Sequence, residues 1–70
     1  MNRETELEMV ARHVRVGERH VVRQREIIAE LAARGVSTEQ ASDLLMQFED
    51  TLRQHRRHLA RLEKASRPPA

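Results

Sequence analysis

This 70-residue chain predicts an all-α fold: an antiparallel two-helix hairpin that dimerises into a four-helix bundle. Three observations carry that expectation. Apolar residues recur at alternating steps of three and four in two separate stretches, which places each set on one face of a helix. A single break, Ala33-Arg34-Gly35-Val36-Ser37-Thr38, lies between the stretches and can reverse the chain. The composition has 34% charged residues, no cysteine and one aromatic, Phe48, which suits helical bundles better than sheets.

The first stretch runs Leu7, Val10, Val14, Gly17, Val21, Gln24, Ile28, Leu31. Its helix is expected over about residues 3–34, starting near Asn2 or Thr5, with Glu4, Glu6 and Glu8 where carboxylates suit the positive helix end. Gly35 then supplies the left-handed residue that ends helices without a steric penalty. Ser37 is the expected N-cap of the second helix, with Gln40 completing a capping box and Thr38 competing one residue later. That helix is expected over about 38–66, stopped by Pro68 and Pro69. Residues 1–66 thus form the hairpin domain, and 67–70 a disordered tail. The second stripe is Ala41, Leu45, Phe48, Leu52, His55, Leu59, Leu62.

Laid antiparallel, with partner numbers summing to about 72, the arms place Gly17 opposite His55 and Gln24 opposite Phe48. A mid-helix glycine costs about 1 kcal/mol against alanine, so a bulky imidazole over Gly17 is the expected compensation. Gln24 needs a hydrogen-bond partner if buried. The expected core is Leu7, Val10, Val14, Val21, Ile28, Leu31, Leu45, Phe48, Leu52, Leu59 and Leu62. One flank of this seam pairs Glu18 with Arg56 and Arg25 with Glu49. The other carries Met9, His13, Val16, His20, Ile27, Leu44, Thr51 and His58, a second apolar surface that a lone hairpin leaves wet and that a homodimer would cover.

Charge is unevenly distributed. Residues 1–50 hold seven Arg against ten acids, a net of −3, while 51–70 hold six cations against Glu63, a net of +5. Arg53, Arg56, Arg57, Arg61 and Lys64 are therefore candidate nucleic-acid contacts, although cations at a helix C-terminus also suit the helix dipole. No stacking aromatic accompanies them, and arms of about thirty residues are too long for a helix-turn-helix. His13, His55 and His58 fall at nearly one height and are the candidate metal ligands, without a known ligand spacing. A phosphoacceptor histidine is disfavoured, because neither His13 nor His20 is followed by the acidic residue and Thr or Asn of histidine-kinase dimerisation domains. No phosphate loop, catalytic triad or paired carboxylates are visible, so no enzyme activity and no cofactor are expected. Arg3, Glu4, Glu6 and Glu8 exclude a signal peptide, and no apolar run approaches a membrane span; a soluble, cytoplasmic protein is expected.

The stretch His13-Val14-Arg15-Val16-Gly17-Glu18, followed by Gln24, the Ile28–Leu31 run and the Gly35 turn, resembles a recurring group of small bacterial helical-hairpin proteins. Ala41, Leu44, Leu45, Phe48, Leu52 and His55 continue the resemblance, which covers most of the chain. It implies the same hairpin fold. It implies no activity and no functional residues. The function expected is that of a small protein–protein interaction module acting as a homodimer, with nucleic-acid binding or histidine-based metal binding as alternatives.

Overall fold

A computed structural model describes residues 3–67. Two helices, α1 (Glu6–Ala33) and α2 (Glu39–Ser66), pack against each other as a hairpin, with no strand among the described residues. Each helix has 28 residues. The shortest dimension of the molecule is 15 Å, about one helix with its side chains. The hairpin is thus a single layer.

Local chemistry sets the ends. Thr5 has an extended backbone and caps α1: the Glu8 amide donates to Thr5 Oγ1 at 3.1 Å, and Thr5's own amide donates to Glu8 Oε1 at 3.4 Å. This reciprocal box starts the helix later than residue 3. At the other end, Gly35 takes φ 69°, its amide donates to the Ala32 carbonyl at 3.0 Å, and the Val36 amide donates to the Leu31 carbonyl at 3.0 Å. Those two bonds form a Schellman closure, which needs a residue free to adopt positive φ.

The expected Ser37–Gln40 box does not form. Thr38 is the N-cap of α2, at φ −104°, ψ 3°, and makes no side-chain cap bond. An extended cap residue aims its side-chain oxygen at the first-turn amides; Thr38 is not extended. Ser37 Oγ instead accepts a long bond from the Glu39 amide, at 3.4 Å. Asn2, Pro68, Pro69 and most of the expected 67–70 tail lie outside the described residues.

The core is smaller than the stripes suggest. Of the eleven expected core residues, Val10, Val14, Val21 and Leu52 are buried, joined by Gln24. Leu45, Phe48 and Leu59 pack partly buried against them, and Leu7, Ile28, Leu31 and Leu62 are half-exposed. Two cylinders touching along one line bury the central seam side chains and leave those beside and beyond them partly in water.

The register corrects one pairing. Leu52, not His55, covers Gly17: a Cβ built on Gly17 would lie 3.1 Å from Leu52 Cδ1 and 3.6 Å from Leu52 Cβ. The glycine admits a leucine that would otherwise hold the helices apart. Gln24 finds the hydrogen-bond partner a buried amide needs: its Nε2 donates to the Ala41 carbonyl at 2.9 Å.

Candidate interaction surface

The two flanks of the seam differ in chemistry. On the first, Arg25 Nη2 donates to Glu49 Oε2 at 3.2 Å, and Arg56 Nη2 lies 3.5 Å from Glu18 Oε2. Both expected ion pairs are present. They border an open groove of about 290 Å³ whose floor includes Val21 and Leu52. Exposed guanidinium–carboxylate pairs of this kind add only about 0–1 kcal/mol each, as befits a solvated edge. Val22 and Met46 are the exposed apolar residues towards this side.

The second flank collects the histidines. His13 of α1 meets His55 of α2 with ring centroids 5.1 Å apart, and His20 meets Phe48 at 5.2 Å. Between these contacts Gly17 floors a groove of about 210 Å³, lined also by Arg12, His13, Val16, His20, Thr51 and His55. His58 Nε2 lies 3.4 Å from Glu6 Oε1. Val16 and Ile27 are half-buried, His20 and Thr51 are exposed, and Met9 and Leu44 keep 37% and 39% of their surface.

Fixed charge is sparse around the histidine groove and returns along the rest of this flank, with Glu6 at one end and Arg23 and Arg34 towards the other. Glu6 opposes His58 near its open end, and Arg12 at its edge is already paired: its Nε and Nη2 donate to Glu4 Oε1 and Oε2 at 2.9 and 3.1 Å. The hydrogen bond from Arg12 holds the Glu4 carboxyl below its ordinary range, and the same bond raises Arg12. Further along α1, Arg23 is tied to Glu26 and Glu30. On α2, helical spacing sets Gln40, Gln47 and Gln54 beside Leu44, Thr51 and His58, a row that is uncharged until it ends in Arg61.

Of the candidate metal ligands, the structure brings His13 and His55 together and places His58 beside Glu6 instead. Among the described residues no three of His, Cys, Asp and Glu converge as a metal-holding group. The candidate nucleic-acid contacts Arg53, Arg56, Arg57, Arg61 and Lys64 are all exposed. Arg53 is paired with Asp50 and Arg56 with Glu18. Spacing sets Arg57 and Lys64 on the outer side of α2, away from the histidine groove, and Arg61 at the end of the glutamine row. No helix among the described residues is long and apolar enough to cross a membrane.

Two features were not read from the sequence. The Thr5-Glu6-Leu7-Glu8 box was visible as a Thr-x-x-Glu pattern. The row Gln40, Gln47, Gln54 was visible as three glutamines seven residues apart, followed at the next step by Arg61. Compared with known proteins, the chain matches no family model, no curated protein and no solved structure.

Proposed function

We propose that this protein is a small, non-enzymatic interaction module of the cytoplasm that pairs with a second copy of itself through the histidine flank, forming a four-helix bundle. One observation supports the reading above others. In a chain with 34% charged residues, one long face carries Met9, His13, Val16, His20, Ile27, Leu44, Thr51 and His58 with hardly a fixed charge among them. Removing such a face from water carries little ionic desolvation cost, whereas covering the Glu18–Arg56 edge would strand four charges. A second hairpin on this face would also cover the half-exposed Phe48 and Leu59.

Light scattering coupled to size exclusion tests it. The expected result is twice the chain mass, with Val16→Glu or Ile27→Glu splitting the dimer and lowering helix content. Val22→Glu, on the other side, leaves the mass at twice that of the chain. A stable monomer for the unmodified protein overturns the reading.

A nucleic-acid role is the second reading, favoured by the net +5 of residues 51–70 and the outward position of Arg57 and Lys64. It requires a salt-dependent gel shift with duplex DNA at about 100 mM salt. No shift removes it.

A further inference from the structure

Resting on the self-association proposed above, we infer that pairing is controlled by protons: the dimer assembles when His13, His20 and His55 are neutral and separates when they are protonated. All four histidines of the chain stand on one flank of the seam, and three of them line the single groove floored by Gly17. Scattered surface histidines would divide between the two flanks.

The surroundings of each imidazole decide what a proton would do there. His13 is faced from α2 by His55, at 5.1 Å between ring centroids, and on its own side by the Glu4–Arg12 pair, whose charges offset each other. His55 is faced from α1 by His13, with Arg12 in the same groove. His20 is faced from α2 by Phe48, with Thr51 in the groove and no carboxylate among the groove residues. A proton on any of the three therefore adds a positive charge with no unpaired acid to meet it. His58 differs, because Glu6 stands opposite, and it is not assigned to the switch.

Closing a second hairpin over this face takes the imidazoles out of water, and burial penalises the charged form. The sign follows. The separated hairpins bind more protons than the dimer, so lowering pH through the range where imidazole titrates favours separation. Each linked histidine is present twice in a symmetric dimer and counts twice in the proton uptake.

Sedimentation equilibrium of the full chain, with a chelator present, is run at roughly pH 8 and roughly pH 6, either side of ordinary imidazole titration. The dissociation constant is expected to be at least about tenfold weaker at the lower pH. In His13→Gln/His20→Gln/His55→Gln that ratio falls below about threefold. Should the triple variant not fold, His20→Gln alone, at an exposed position without a facing imidazole, still lowers the ratio. Equal dissociation constants at both pH values overturn the proton switch and leave the dimer standing. A ratio unchanged by the glutamine substitutions overturns the assignment to these histidines. A monomer at the higher pH overturns the dimer and the switch together.

Discussion

Replacing Gly17 separates two effects that usually arrive together. Alanine removes the penalty of a mid-helix glycine, about 1 kcal/mol, but its Cβ would stand 3.1 Å from Leu52 Cδ1. Leu52 must then retreat by a few tenths of an ångström. It can do so, because the crowded atom is a terminal methyl and Leu52 borders the open groove on the Glu18–Arg25 flank. Gly17→Ala is therefore expected to gain about 0.5–1 kcal/mol net. In a domain this small, that raises the melting point by roughly 4 °C. Gly17→Leu has nearly the helix propensity of alanine, yet its longer side chain occupies the space that Leu52 holds. Overpacking of that kind costs about 1–3 kcal/mol, so the leucine variant should melt below both wild type and alanine. Since propensity is almost the same in the two variants, their difference reports the interhelical contact alone. The assay is thermal and urea unfolding at matched chain concentration, because self-association would make midpoints concentration-dependent. If Gly17→Leu proves as stable as Gly17→Ala, Leu52 does not sit over Gly17 and the register is wrong.

Gln24 and Glu4 supply two more tests. Gln24→Glu sets a buried carboxylate against the Ala41 carbonyl in place of an amide donor, at an expected cost of roughly 2–3 kcal/mol at neutral pH, recovering as acid protonates the new side chain. Unfolding curves indistinguishable from wild type at neutral pH would show that the amide contact does not form. For Glu4, carbon-detected NMR titration should give a midpoint below the usual carboxylate range, moving up in Arg12→Gln. The lowered value means that the Glu4–Arg12 contact supports the folded start of α1 at neutral pH and is lost only as pH falls through that value. An unshifted midpoint would remove the contact.

What was legible in the sequence is what periodicity encodes. The steps of three and four assigned residues to faces, so the hairpin, the Gly35 closure and the flank pairs Glu18–Arg56 and Arg25–Glu49 could be read from it. Periodicity says less about the offset of one helix along the other. Leu52 and His55 both lie in the α2 stripe, three residues or about 4.5 Å apart along the axis, and a small slide exchanges them over Gly17. The pair numbers show the stagger: they sum to 74 for Glu18–Arg56 and Arg25–Glu49, but to 68 for His13–His55 and His20–Phe48. Leucine is the better occupant physically, because Leu52 is buried there and fills the space without a polar edge to satisfy. The caps were harder for another reason. Thr5 and Ser37 each head a box-like tetrad, but Thr5 is the N-cap of α1 and closes its box, whereas the N-cap of α2 falls one residue past Ser37, at Thr38.

A single layer of two helices is half of what a domain needs to bury an apolar face. Here that half is lopsided. One edge is finished with interhelical ion pairs that water already satisfies, while the other ends in imidazoles, glutamines and half-buried aliphatic side chains around a glycine-floored groove. Had both edges been built for solvent, the 24 fixed charges of the chain would be expected along each of them. Leu45, Phe48 and Leu59 meanwhile stay only partly buried, a standing cost to the isolated hairpin. In the proposed dimer a second copy would remove that cost without stripping water from a salt bridge, so the asymmetry of the flanks, more than the total apolar content, is what supports the proposal of self-association.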